Sequence, residues 1–546
     1  MVVRSVLAER PRIELELARL AIELGASEIG GLLSAGEQSL VQQTQVAAPP
    51  SLLAPDDLLQ AIRAGRDPLG DIFCRIRPVV QRRQDGAFYT PSELVSTMVD
   101  WALSRGPDRV VDAGCGSGRF VAAAVRRDRA RHVVAVDADP LATLMTRAAL
   151  AALDARSAQV CQADYTRLEL PRIAGRTAFV GNPPYVRHHD LSPSTKAWAT
   201  GTAERLGLRI SGLAGLHALF YLATAAHAAP GDIGCFVTSA EWLDVGYGSV
   251  LRQLLLDGLG AHSLQLIDPT AMPFESTQTT ALVSCFIVGS RPSQISARKV
   301  HTLADLARLE DGLSVPREAW LANERWSALF EEQGRSPHPD DAAPTRLSVF
   351  ARVHRGLVTG ANDFFVLTRA HAQALGVAPW CVPAITDARE ILDAGGVVRD
   401  LPERKLLLRI PRDVDRRNHP DLDRYLRVGE MPRGDKPAVA DTYICSHRRP
   451  WWYVGAQQAA PIVASYMARR GPAFALNPDG LALINISHGL YPVAAMDAGQ
   501  LQRLCQALNA GSTSFRGSGR TYQGGLEKFE PREMEALPVT VDGPYV

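Results

Sequence analysis

Lysine is scarce in this chain of 546 residues. It stands only at positions 196, 299, 405, 436 and 528, so the 59 basic residues that face 58 acidic ones are almost wholly arginine. The net charge of +1 removes any overall field that would draw a polyanion, and a nucleic-acid contact would have to rest on local clusters. Arginine suits bidentate contacts to phosphates and guanine edges, although an alanine- and arginine-rich composition also follows from GC-rich codon usage. Paired cysteines are missing too: the eight at 74, 115, 161, 235, 285, 381, 445 and 505 form no CxxC. That argues against a zinc ribbon or a disulfide framework and fits a reducing compartment. No apolar run approaches the roughly 20 residues of a membrane helix. The N-terminal run is broken by Arg4, Glu9, Arg10 and Glu14, which is unlike a signal peptide. The expectation is a cytoplasmic protein without a membrane segment, built of two or three domains.

What is present is a series of strands, each ending in a polar residue. Arg109-Val110-Val111-Asp112-Ala113-Gly114-Cys115-Gly116-Ser117-Gly118 is a β-rich run meeting a glycine-rich turn, followed by an alanine-rich helix over 119–127. Gly114, Gly116 and Gly118 permit a tight turn and close approach of a ligand to the backbone. No GK[ST] follows, so it is not a P-loop, and a lone glycine fingerprint is weak. Asp112, just ahead of the turn, discriminates: it repels a pyrophosphate but can hold the cationic end of S-adenosylmethionine, directly or through water. The next strand, 132–136, ends at Asp137, placed to accept from two ribose hydroxyls. The third, 158–162, ends at Asp164, where a carboxylate can face an adenine amino group. The fourth, 177–180, runs into Asn182-Pro183-Pro184-Tyr185, a backbone stiffened by two prolines that presents an amide and an aromatic ring. Any one aspartate is more often a cap or a turn residue; four strands in succession, three ending in aspartates and the fourth in Asn182, on one rim are expected to form a nucleoside-cofactor site.

Around this series the pattern predicts a helical region over 1–84, with helices over 5–33, 56–64 and 72–81 and a loop over 35–54. Thr90-Pro91-Ser92-Glu93 predicts an N-cap with a capping box ahead of a helix over 94–103. α/β alternation continues to about 288, with a hairpin whose loop carries Phe274. The Pro- and Gly-bearing stretch 333–346 reads as a linker. Residues 347–546, with short strand-like runs (451–454 among them) broken by Gly, Pro and Asn, read as an irregular α+β domain. There Arg448 and Arg449 sit beside Trp451, Trp452 and Tyr453, and Arg516 and Arg520 lie in a Gly-rich loop, mixtures compatible with backbone binding and base stacking. His188-His189-Asp190 does not fit the spacing of known metal sites, and no metal is expected.

Taken in order, Tyr89-Thr90-Pro91, the Asp112–Gly118 turn, Asp137, Asp164, Asn182-Pro183-Pro184-Tyr185 and a C-terminal domain resemble the gamma class of DNA adenine-N6 methyltransferases, of the TaqI-like type. The resemblance runs from about residue 86 to the C-terminus; residues 1–84 have no counterpart in it. It implies a Rossmann-like catalytic domain over 85–332 with a seven-stranded mixed sheet, and an α+β target-recognition domain over 347–546. It further implies S-adenosyl-L-methionine as cofactor, double-stranded DNA as substrate, and a separately encoded restriction endonuclease as a functional partner. By the same resemblance Thr90 contacts the cofactor's carboxylate, Asp112 its methionine end, Asp137 the ribose and Asp164 the adenine amino group. Asn182, Pro183 and Tyr185 would act on the target base, with Phe274 stacking on it. The same loop serves enzymes that methylate a protein glutamine amide; the domain after 346 favours DNA, and cytosine N4, a glutamine amide or RNA remain the alternatives.

Overall fold

The computed structural model describes residues 2–46, 54–77, 90–129, 131–268, 271, 280–330, 345–434, 437–468, 471–515, 520–522 and 526–540. The chain divides into two compact units, Met1–Gly334 and Arg335–Val546.

The first unit is organised by one sheet. Strands β1 (Arg109–Ala113), β2 (His132–Asp137), β3 (Gln159–Gln162), β4 (Thr177–Gly181), β5 (Ile233–Ser239), β6 (Ala261–Ile267) and β7 (Ala281–Ile287) stand in the order β3-β2-β1-β4-β5-β7-β6. β1 to β5 pair in parallel, and β7 runs antiparallel between β5 and β6. This is the expected mixed sheet, extended by two strands that the pattern did not reveal: β8 (Gln294–Val300), parallel to β6, and β9 (Leu313–Pro316), antiparallel to β8. The sheet therefore has nine strands rather than seven. β1, β4 and β5 are buried along their whole length, which is why they read as continuous apolar runs rather than alternating ones.

The N-terminal helices are α1 (Val2–Glu23), α2 (Ala35–Val46), α3 (Pro55–Arg63) and α4 (Pro68–Ile76). They share a core with α7 (Pro140–Ala152), in which Leu17, Leu20, Leu69 and Phe73 meet Leu141, Leu144 and Met145. Gly30 adds a parallel bridge to Gln159 at the β3 edge, with the Val160 amide donating to its carbonyl at 3.0 Å. α2 stands over 35–46, in the first part of the loop expected over 35–54; residues 47–53 lie outside the described residues. Its start is a reciprocal cap: the Glu37 amide donates to Ser34 Oγ at 3.1 Å and the Ser34 amide to Glu37 Oε2 at 2.7 Å, the Ser-x-x-Glu box hidden in an otherwise polar stretch. α4 begins at the Asp67 cap with Pro68 in its first turn and ends before Pro78 rather than continuing to 81, as the residue preceding a proline is disfavoured in helix.

The second unit is α+β. One four-stranded sheet pairs Ala351–Arg355, Ser487–Pro492, Ile462–Ser465 and Phe474–Leu476, another Val366–Leu367, Leu406–Leu408, Cys381–Ile385 and Ala482–Leu483. Residues 451–454, expected as a strand, form a turn and coil. Trp451 and Trp452 instead pack against the core around Phe364 and Tyr425, which removes the alternation that a strand would need. Among the described residues no helix is long and apolar enough to cross a membrane.

Candidate active site

β4 lies between β1 and β5, at the point where the strand order turns back, and open α/β sheets bind ligands outside the carboxyl ends of the strands there. Gly181 closes this strand at φ 149°. A Cβ on it would stand 3.0 Å from the Ala113 carbonyl oxygen and 3.2 Å from Asp112 Oδ1, so a glycine is what lets the Asn182–Tyr185 loop leave β4 against the end of β1. The loop is held from its far side by the Leu216 amide, which donates to the Val186 carbonyl at 2.9 Å.

Asn182 Nδ2 donates to Thr90 Oγ1 at 3.2 Å. This bond orients the amide, leaving Oδ1 as its acceptor end. It also corrects the capping expectation. Helix α5 (Ser92–Leu103) has Pro91 at its cap and no side-chain cap bond, because the Thr90 hydroxyl turns to Asn182 instead of to its own helix. Thr90 is 3% exposed, and its carbonyl accepts from Arg119 Nη1 at 2.9 Å.

After β1 the backbone takes positive φ at Gly114, Gly116 and Gly118 and enters α6 (Arg119–Arg127). At Gly118 a Cβ would stand 3.0 Å from Thr146 Oγ1 and 3.1 Å from its Cα, whereas at Gly116 it would meet only open space. Asp137 folds back over this turn: its Oδ2 accepts from the Gly116 amide at 2.9 Å and its Oδ1 from the Asp139 amide at 3.0 Å. Burial raises its carboxyl to about 6, against the pull of those amides. Asp164 is exposed and accepts from the Thr166 amide at 2.9 Å and hydroxyl at 2.7 Å. Asp112 is fully buried, and neither of its oxygens has a hydrogen bond of ordinary geometry. Burial and the neighbouring Asp137 push its carboxyl well above the usual range, with the Val121 amide offsetting this only in part.

Thr90, Gly114, Gly116, Asp137, Asp164, Asn182 and Pro184 line one cavity of about 430 Å³. Asp112 lies behind this wall, beside Gly181, rather than on it. The cavity fits S-adenosylmethionine in three respects. A partly exposed carboxylate ends β2 where a ribose would sit. A glycine turn opens onto the cavity without a side chain at Gly116. A buried carboxylate lacking an ordinary hydrogen bond lies behind the turn, where its charge would favour a cationic group in the cavity.

Tyr185 is half-buried, with its ring centroid 6.3 Å from that of His217. His217 went unnoticed in the sequence. It sits in the first turn of α9 (Leu216–His227), 6% exposed, with Nε2 lacking a hydrogen-bond partner, and burial lowers its imidazole to about 4. Only the fold, bringing α9 against the 182–186 loop, makes it visible. Phe220, one turn further on, lines the cavity and packs against Tyr165 at 5.1 Å between centroids.

The remaining expected residues fall elsewhere. Phe274 and Arg516 lie outside the described residues, as do 86–89 and the expected linker up to 344; Arg520 opens a short strand, Arg520–Tyr522. The Arg448 guanidinium donates to the Thr359 carbonyl at 2.9 Å and to that of Val358. It is thus engaged in holding its own unit together. Arg449 is exposed and caps the Ser446 carbonyl at 2.8 Å.

A Rossmann-like α/β sheet with a glycine turn, a carboxylate at the end of β2 and an Asn-Pro-Pro-Tyr loop at the end of β4 defines an S-adenosylmethionine-dependent methyltransferase domain. Comparison with known proteins narrows the class. Residues 65–204 match the N-6 DNA Methylase family and residues 339–545 the C-terminal domain of the type II methyltransferase M.Eco57I. The chain is 41% identical over 518 residues to the type II methyltransferase M.XamI of Xanthomonas campestris pv. amaranthicola, covering 93% of this chain and 94% of that protein. It is 21% identical to the type II methyltransferase M.AccI of Acinetobacter calcoaceticus, covering 83% of this chain and 85% of that protein. Among solved structures it shares its fold with the type IIL restriction-modification enzyme MmeI in complex with DNA, at TM-score 0.53 and 14% identity over 82% of this chain and 67% of that one. The chain belongs to the type II methyltransferases of restriction-modification systems, within the N-6 DNA methylase family. It is an adenine-specific DNA methyltransferase.

Proposed function

We propose that the protein transfers the methyl group of S-adenosylmethionine to N6 of an adenine turned out of double-stranded DNA. The observation that carries this reading is the hydrogen bond from Asn182 to Thr90, which presents an oriented amide at the wall of the cavity that the glycine turn and Asp137 also line. Bound there, the cofactor supplies an electrophilic methyl group. The adenine amino group is a poor nucleophile because its lone pair is delocalised into the ring. Asn182 Oδ1 and the Pro183 carbonyl accept the two N6 hydrogens and turn the lone pair out of the ring plane. Both acceptors are uncharged, so they act by positioning and by stabilising the positive charge that develops on N6. The target base is out of reach inside a duplex, and extruding it costs a few kcal/mol. Tyr185 recovers part of this by stacking, at roughly 1–3 kcal/mol per contact; Phe274 is assigned the same role.

Asp137 holds the ribose, Asp164 the adenine amino group of the cofactor, and Asp112 acts from behind the glycine turn on the methionine end. Residues 347–546 read the DNA target, with Arg449, Arg516 and Arg520 as candidates for contacts to it. Methylation would protect host DNA against a separately encoded restriction endonuclease of the same specificity.

Replacing Asn182 by alanine tests the reading. Turnover on DNA should fall by about 10²–10³-fold, the scale of losing one preorganised charge-stabilising group, while calorimetric affinity for S-adenosylmethionine stays within about twofold. Near-normal turnover in Asn182→Ala would remove the loop from the chemistry.

A further inference from the structure

Helix α4 precedes residue 86, where the likeness legible in the sequence begins, and lies within the 65–204 match to the N-6 DNA Methylase family. Phe73 and Arg77, on and just after α4, line the same cavity as Asp137, Asp164 and Asn182. The Arg77 guanidinium lies over the Phe73 ring, 4.1 Å from its centroid. It is fixed on two sides, by Glu14 at 3.2 Å and by Asp139 at 2.8 Å. Asp139 stands two residues beyond the carboxylate that ends β2, so the pair is anchored at the nucleoside end of the site. The other end of α4 grips the glycine turn. Its cap Asp67 accepts from Ser117 Oγ and from Arg119 Nε at 2.7 Å, and Asp71 accepts from Arg119 Nη2 at 2.9 Å. Arg119 also bonds the Thr90 carbonyl. α4 is therefore tied at one end to the loop after β1 and at the other to the loop after β2, with its Phe73–Arg77 face turned to the space between them.

We infer that α4 is a wall of the cofactor site, and that Phe73 and Arg77 bind the nucleoside half of the cofactor. A guanidinium held over a phenyl ring by two carboxylates is preorganised, and planar cation and aromatic groups stack on nucleobases. The surrounding contacts hold it before any ligand arrives, so little side-chain freedom is lost on binding. This inference rests on the cofactor reading above.

The test is calorimetric binding of S-adenosylmethionine and of 5′-methylthioadenosine, which lacks the amino-acid part, to the full-length protein and to Arg77→Gln and Phe73→Leu, with the melting temperature of each unliganded protein. Both ligands should bind about tenfold or more weakly to each variant, a loss of the size expected for a desolvated stacking contact. Arg19→Gln, which changes α1 away from the cavity, should bind as the wild type does. Unchanged affinity in Arg77→Gln and Phe73→Leu would make α4 a structural brace and overturn the inference. So would equal losses in Arg19→Gln, or a loss confined to S-adenosylmethionine with 5′-methylthioadenosine unaffected. A wild-type protein that binds neither ligand would overturn the cofactor reading itself, and the inference with it.

Discussion

Asp137 shows how one side chain can be pulled two ways. Burial raises its carboxyl to about 6, yet its assigned work of accepting from two ribose hydroxyls needs the ionised form. Below that pH the side chain is protonated and one oxygen becomes a donor. Cofactor affinity should therefore be flat above about pH 6 and weaken by about tenfold per pH unit below it. The slope should vanish in Asp137→Asn, which binds weakly at every pH. Calorimetry between pH 5 and 8 measures both curves, and a slope that survives in Asp137→Asn assigns the titration to another group. The sign for the unliganded fold is opposite. A carboxyl whose folded pKa lies above its unfolded one binds the extra proton in the native state. Its contribution to stability is present at low pH and is lost as pH rises from the ordinary carboxylate value through about 6. Thr90 gives a second expectation at this scale. Its hydroxyl accepts from Asn182, so Thr90→Val should lower turnover about tenfold, near 1.4 kcal/mol for one lost positioning bond, with Thr90→Ser close to wild type in single-turnover rate. Equal rates for the two would leave Asn182 held by other contacts. Asp137, Asp164 and Asn182 were legible in the sequence because each follows an apolar run that had to be a strand. The partner of Thr90 was not, because an N-cap signature and a tertiary hydrogen bond use the same hydroxyl. His217 was invisible, since nothing in the local pattern shows which loop its helix will meet.

Helices α2 and α7 are joined by an ion pair with almost no solvent contact: Arg147 Nε meets Glu37 Oε1 at 2.8 Å, with the side chains 1% and 0% exposed. The guanidinium also donates to the carbonyls of Ile29, Gly31, Leu32 and Val160. A buried pair of this kind is weak evidence for stability as a pair, but removing one partner strands the other charge. Glu37→Ala should lower the unfolding free energy by about 3–5 kcal/mol, read from urea denaturation of the unliganded protein. A loss below about 1 kcal/mol would mean that the site relaxes and admits water. Elements with a strong period or a cap at the edge of an apolar run were readable. α2 was not, as its capping box opens a sequence with little hydrophobic contrast, whose helical state is set by the buried Glu37–Arg147 contact. Strands β8 and β9 were missed for the same reason: they extend the edge of a sheet, and half-exposed residues carry less pattern than the buried runs of β1, β4 and β5.

At the scale of the whole molecule the proposed chemistry belongs to Met1–Gly334, where the cavity, the glycine turn and the Asn-Pro-Pro-Tyr loop are all found. The unit Arg335–Val546 carries the match to the M.Eco57I C-terminal domain. Its α+β character was legible in composition; its sheet pairings were not, because strands of two to six residues are fixed by partners distant in sequence. The proposed reaction is tested most directly by transfer of a labelled methyl group from S-adenosylmethionine to plasmid DNA, with the labelled nucleosides then separated. The expected product is N6-methyladenine at a single sequence motif, with N4-methylcytosine absent. Label in N4-methylcytosine, or label that enters protein or RNA while DNA stays unmodified, would contradict the assignment of adenine N6 to the Asn182 loop.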